Sequence, residues 1–222
     1  MQYLTFSRQS NQDTPPPVLV ILHGYGADEH DLLPLAQHFD PKLLTVSIQA
    51  PITLDWGGYA WYHLTQTAAG LGGDDESRMQ SEQLLFDELP KIISEVGGDP
   101  TQVYLLGFSQ GAAMCYSLLG RHDLSTKGIN LLGVIILSGY VPDDVKETLR
   151  RKNLSNIPFF LSHGSADPLV PVISMYEALS ILEEAGAKTF SKEYEIGHGL
   201  TEETVSDIRN WMDKQQTADS WL

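Results

Sequence analysis

Val103-Tyr-Leu-Leu-Gly-Phe-Ser-Gln-Gly-Ala-Ala-Met-Cys115 is the stretch whose reading decides the fold. Its first four residues, Val103 to Leu106, are a short apolar run of the kind found in a strand covered on both faces. From Ala112 to Leu119 the chain is small and apolar, as a helix packed deep against a sheet should be. Between them Gly107-Phe-Ser-Gln-Gly111 leaves room only for a sharp strand-to-helix turn. Such a turn forces Ser109 into strained backbone geometry and lifts its hydroxyl above the sheet edge. Glycines two before and two after it leave space for the neighbouring strand and helix. The helix start also aims backbone N–H groups and a partial positive charge at the same point.

The same alternation extends in both directions. Val18 to Leu22, Leu43 to Ile48, Leu132 to Leu137 and the shorter, more aromatic Pro158 to Leu161 read as further buried parallel strands. Phe190 to Tyr194 alternates like a later strand nearer an edge, and Tyr3 to Phe6 fits an antiparallel edge. Helical patterns lie between: Leu32 to Phe39, Ser81 to Val96, Val172 to Ala185 and Glu202 to Met212. Gly97-Gly-Asp-Pro100 ends one helix before the next strand. Strand and helix in turn predict an α/β fold with a doubly wound, mostly parallel sheet and helices on both faces. With 222 residues, 42% of them apolar, the chain is long enough to bury both faces of such a sheet, and 1–222 reads as a single domain without an interdomain linker.

Composition narrows the function. There are 29 acidic against 14 basic residues, a net charge of −15, and no basic cluster to contact phosphates, which argues against nucleic acid as a partner. The single cysteine, Cys115, excludes an intrachain disulfide and reads as a small core residue. Met1-Gln-Tyr-Leu-Thr-Phe-Ser-Arg8 lacks the basic start and apolar core of a secretory signal, and Leu131 to Leu137 is far too short to span a bilayer, so the expectation is a cytoplasmic protein without stable membrane insertion. No His/Cys/Asp spacing suits a metal, and no glycine pattern suits a dinucleotide or P-loop; Gly70-Leu-Gly-Gly73 has no lysine-serine pair after it. No cofactor is expected. A homodimer is left open.

Three further loops supply what a serine nucleophile needs. Leu22-His-Gly-Tyr-Gly26 follows the first core strand and is placed to give one oxyanion-hole donor, the amide of Tyr25, with that of Gln110 as the other. Leu161-Ser-His-Gly-Ser-Ala-Asp-Pro-Leu-Val-Pro171 carries Asp167 on a loop after a strand, where a carboxylate can accept from a histidine Nδ1–H and fix its tautomer. Gly197-His-Gly199 places His198 on a free loop. The order Ser109, Asp167, His198 is that of α/β-hydrolases. His23 and His163, both before glycines near strand ends, read as structural.

Taken together these segments resemble the bacterial carboxylesterase/phospholipase family of α/β-hydrolases, which includes the acyl-protein thioesterases. The resemblance runs from Val18 to about Trp211. Its carriers are Leu22-His-Gly-Tyr-Gly-Ala-Asp28, Gln49-Ala-Pro51, Trp61-Tyr62, Asp99-Pro100, Gly107-Phe-Ser-Gln-Gly111, Leu137-Ser-Gly-Tyr140, His163-Gly164 with Asp167-Pro-Leu-Val-Pro171, and Gly197-His-Gly199. It implies the triad Ser109, Asp167, His198 and the oxyanion pair Tyr25 and Gln110. One departure is Ala112, where the family often has a second glycine. Thr65 to Asp75, small and flexible in composition, corresponds to the family's acyl-chain loop, and Trp61, Leu71, Tyr140 and Leu169 are candidates for the acyl-side wall.

The expected activity is a serine carboxylesterase acting on small or acyl-chain esters. Thioesterase or lysophospholipase activity with the same triad, a peptidase of this fold, and a ligand-binding protein without turnover are the alternatives.

Overall fold

The computed structural model describes residues 1–7, 14–67 and 70–218, with backbone alone at 66, 67, 70, 71 and 216–218. Strands β1 (Tyr3–Phe6), β2 (Pro17–Leu22) and β3 (Leu44–Ile48) come first. Two hairpins follow, β4 (Ile52–Thr53) with β5 (Tyr59–Ala60), and β6 (Leu64–Thr67) with β7 (Gly70–Gly73). Then come α1 (Asp75–Glu95), β8 (Asp99–Phe108), α2 (Gln110–Arg121), β9 (Leu131–Leu137), α3 (Asp143–Arg150), β10 (Pro158–Gly164), α4 (Ile173–Glu184), β11 (Lys188–Tyr194) and α5 (Glu202–Ala218). A seven-stranded sheet has the order β1-β3-β2-β8-β9-β10-β11. It is parallel throughout except for β1, which runs antiparallel to β3 with Tyr3 opposite Ile48. This is the α/β-hydrolase fold read from the sequence.

The apolar runs divide between two cores, as side-chain alternation along a strand demands. On β2, Val18, Val20 and Leu22 face one way and Leu19 and Ile21 the other; on β8, Val103 and Leu105 oppose Tyr104 and Leu106. The first core is closed by Leu85, Leu89 and Ile93 of α1, by nearly all of α2, by Val145 and Leu149 of α3, and by Ala178, Ile181 and Leu182 of α4. The second is closed by Leu32 and Phe39 and by Ile208, Trp211 and Met212 of α5. Each fully buried aliphatic side chain contributes about 1.5–3 kcal/mol, so the two cores dominate the stability of the sheet.

Three local expectations change. Leu32 to Phe39 was expected as an ordinary helix; Leu33–His38 is a 3-10 helix with Pro34 at its start. Thr65 to Asp75 was expected as a flexible loop, yet Leu64 pairs with Gly73 and Gln66 with Leu71 in a two-stranded hairpin. Helix α3 was not anticipated, because Val145 and Leu149 are its buried residues in an otherwise charged segment.

Helices α1, α2 and α3 meet over a buried ionic cluster. The Arg78 guanidinium donates to Ser117 Oγ (2.7 Å) and to the carboxylates of Asp75 (2.9 Å) and Asp144. Arg121 pairs with Asp144 as well. Glu82 lies 2.9 Å from His122 Nε2, and burial pushes its carboxyl up to about 7 against the pull of Arg121 and Arg78.

Candidate active site

The loops that carry Tyr25, Ser109, Asp167 and His198 lie at the carboxyl ends of the sheet strands, where ligands bind in open α/β sheets. The register fixes this: Leu22 of β2 pairs with Gly107 of β8, Phe108 with Leu137 of β9, and Gly164 of β10 with Tyr194 of β11.

Ser109 sits between β8 and α2 with φ 53° and ψ −113°, a conformation that costs a non-glycine residue about 1–3 kcal/mol. The surrounding structure over-determines it. Its amide donates to Leu137 O (2.9 Å) and its carbonyl accepts from Ala113 N (3.1 Å). A Cβ on Gly107 would collide with the Gly111 carbonyl, and one on Gly111 with the Leu22 carbonyl. The two glycines therefore let strand, turn and helix cross at backbone distance. Ala112 is tolerated because its methyl packs on Gly139, where a second Cβ would clash with it.

The loop after β2 comes alongside. A Cβ on Gly24 would lie 3.1 Å from the Phe108 ring and 3.5 Å from the Ser109 Cβ. The loop is held by the first hairpin, with Gly26 N donating to Tyr59 O and Tyr59 N to Ala27 O, both at 2.8 Å. Among the described residues neither the Tyr25 amide nor the Gln110 amide takes a backbone acceptor.

On the other half of the sheet, His198 Nδ1–H donates to Asp167 Oδ2 at 2.6 Å. Asp167 Oδ1 accepts the amides of Leu169 (2.9 Å) and Val170 (3.0 Å). Burial alone would raise this carboxyl; the Val170 amide, His198 and the Leu169 amide outweigh it and hold the group below its ordinary value. Asp167 is thus ionised at neutral pH. The His198 ring packs on Phe108, the neighbour of Ser109, with centroids 4.9 Å apart. Buried His163 donates from Nε2 to Val170 O (2.8 Å), bracing the loop that presents the carboxylate.

The candidate wall residues differ in exposure. Leu169 is 71% exposed beside Asp167, at the lip of the site. Tyr140 is half-buried, and its hydroxyl meets that of Tyr62 at 2.7 Å. The Leu71 side chain lies outside the described residues. Trp61 is fully buried and bonded to its surroundings at three points. Sequence reading missed the side chain of Gln110, whose Oε1 accepts from Trp61 N and whose Nε2 donates to Tyr62 O, both at 2.7 Å. Asp28, Glu29 and His30 form a trio of oxygen and nitrogen donors. Two of these donors are already engaged, Asp28 with the His30 amide and Glu29 with Gln2.

A serine in a strained strand-to-helix turn beside a histidine–carboxylate pair is the layout of α/β-hydrolases. Residues 6–216 match the Phospholipase/Carboxylesterase family, and the chain belongs to that family of serine hydrolases. It is 31% identical to acyl-protein thioesterase 1 of Yarrowia lipolytica over 176 residues, covering 75% of this chain and 74% of that one. Acyl-protein thioesterase 1 of Gibberella zeae is 26% identical over 219 residues, with 89% of each chain covered. Among solved structures, the Bacillus cereus carboxylesterase superposes with a TM-score of 0.80 at 28% identity, covering 97% of this chain and 94% of that one. Among the described residues no helix is long and apolar enough to cross a membrane.

Proposed function

We propose that the protein is a serine carboxylesterase whose triad is Ser109, His198 and Asp167, with the Tyr25 and Gln110 amides as oxyanion hole. The 2.6 Å bond between His198 and ionised Asp167, beside the strained turn of Ser109, carries this reading. His198 takes the Ser109 proton at Nε2 as Oγ attacks the ester carbonyl carbon. The oxyanion forms against the two amides. As the tetrahedral adduct collapses, the C–O bond to the alcohol breaks and His198 returns its proton to the leaving oxygen. Water, deprotonated by the same nitrogen, then attacks the acyl-enzyme and releases the acid and free Ser109. Asp167 stays ionised and stabilises the imidazolium at each step.

The substrate is an uncharged acyl ester, for which Tyr140 and the exposed Leu169 give aromatic and aliphatic contact. The net charge of −15 disfavours anionic partners. A thioester reading is favoured by the thioesterases among the relatives. Oxoesters and thioesters of matched chain length, assayed side by side, separate the two. Ser109→Ala tests the nucleophile: hydrolysis of p-nitrophenyl acetate should fall to background and labelling by a fluorophosphonate should vanish. Retention of either at the wild-type level refutes the assignment.

A further inference from the structure

The two proposed oxyanion donors lie on different segments, the loop after β2 and the first turn of α2. Something must fix how far apart they stand. Peptide planarity gives the first link. The Tyr25 N–H belongs to the same trans peptide as the Gly24 carbonyl, so it points opposite to that oxygen. His23 Nδ1–H holds the Gly24 carbonyl at 2.7 Å, and His23 Nε2 accepts the Ala50 amide at 3.0 Å. The His23 ring therefore aims the Tyr25 amide.

Trp61 joins this loop to the elbow. Its indole Nε1–H donates to the His23 carbonyl at 2.9 Å, and its backbone N–H donates to Gln110 Oε1 at 2.7 Å. Gln110 Nε2 answers by donating to Tyr62 O at 2.7 Å, so the glutamine amide clips onto the Trp61-Tyr62 segment at both ends. Ser81 Oγ, from α1, donates to the Trp61 carbonyl. His23, Trp61 and Gln110 are all buried, with at most 4% of any of them exposed. In so dry a setting each bond is strong and an orphaned partner is costly, so the chain of bonds is stiff. The indole supplies a rigid donor at the far end of an apolar body that also fills the core; no aliphatic side chain does both.

We propose that Trp61 is a positioning residue: it spans the two segments and sets the separation of the Tyr25 and Gln110 amides. This rests on those amides being the oxyanion hole. It replaces the expectation that Trp61 lines the acyl pocket.

Trp61→Phe tests it, since phenylalanine keeps most of the buried ring and the backbone bond to Gln110 but lacks the donor to His23 O. With p-nitrophenyl acetate, kcat should fall about 10- to 100-fold, as expected for displaced catalytic groups. KM should stay within about twofold. The pH profile of kcat/KM should keep its shape, because the His198–Asp167 pair is untouched. Affinity for a trifluoromethyl ketone, whose serine adduct carries the oxyanion, should fall in parallel with kcat/KM. Wild-type kcat in folded W61F overturns the proposal. A raised KM at unchanged kcat also overturns it, returning Trp61 to the acyl wall. If W61F does not fold, Ser81→Ala decides, because it cuts the tie at the Trp61 carbonyl without touching the ring. It should show the same kcat-specific loss, at least about threefold, and an unchanged kcat counts against the strut. Ser109→Ala, run alongside, separates the two levels: turnover in S109A removes the serine-nucleophile reading on which the oxyanion hole rests, whereas inactive S109A with fully active W61F removes only the role of Trp61.

Discussion

Replacing Asp167 by Asn probes the His198 pair with little change of shape. The structure fixes which way the new amide must face. Two backbone N–H groups, from Leu169 and Val170, point at Oδ1 from 2.9 and 3.0 Å, and neither can accept. The amide oxygen must stay there, because turning it would set NH₂ against two donors. The Asn nitrogen then faces His198 Nδ1 across the 2.6 Å contact, and the histidine can answer only with Nδ1 bare and its proton on Nε2. On the proposed assignment, that tautomer cannot take a proton from Ser109. Forcing the productive tautomer against a second donor costs about 2 kcal/mol, the price of a lost buried hydrogen bond. Removing the anion from beside the developing imidazolium costs about 4 kcal/mol more, for charge centres roughly 4 Å apart at an effective dielectric of 20. The sum corresponds to a loss of about 10⁴-fold. The assay is kcat/KM for p-nitrophenyl acetate near pH 7.5, with thermal unfolding measured on the same samples. A folded variant that keeps more than about one tenth of wild-type kcat/KM would show that Asp167 does not set the state of His198.

Two other perturbations follow from the packing. Gly111→Ala drives a methyl into the Leu22 carbonyl, so the variant should lose about 3 kcal/mol or more in urea unfolding, or fail to accumulate as folded protein; a midpoint equal to wild type would mean that strand and helix are not in backbone contact there. Glu82 should make the wild type pH-sensitive: its folded value of about 7 lies above its ordinary 4.5, so the folded state holds a proton that the unfolded state has released, and this contribution to stability is present at low pH and is lost as pH rises from about 4.5 through about 7. Relative to Glu82→Gln, the wild-type Tm should therefore decline across that window, and parallel Tm curves for the two proteins would refute the burial argument.

Much of this was legible in the sequence because it depends on local pattern. The inner strands are continuous apolar runs, and the elbow is a strand, two glycines and a helix within a few residues. Those features reflect covering on both faces and backbone crowding, and both restrict residue type strongly. What escaped depends on distant contacts or weak periodicity. Helix α3 has Val145 and Leu149 as its buried residues, too sparse a stripe to stand out among acids and bases. The second hairpin is written in glycine and threonine, which read equally well as loop. From sequence alone Trp61 offers only an apolar ring. Its bonds to Gln110 and His23 join residues far apart in the chain, and no spacing rule encodes them. The signal that was available was Gln110 itself, a long amide at the first position of a helix whose next three residues, Gly111, Ala112 and Ala113, are small, and which needed a buried partner.

The strand order also bears on how the protein comes into being. β2 and β8 lie in the middle of the sheet and bring Ser109 with the loop of Tyr25, while Asp167 and His198 follow β10 and β11, the last two strands at the far edge. A ribosome releases the chain from the amino end, so a nascent chain that has reached Arg150 already holds the elbow sequence but neither the carboxylate nor the imidazole. On the proposed assignment such an intermediate carries a serine with no base to activate it. Reactivity is switched on only when the final third of the chain docks, and a truncated or stalled product stays chemically silent.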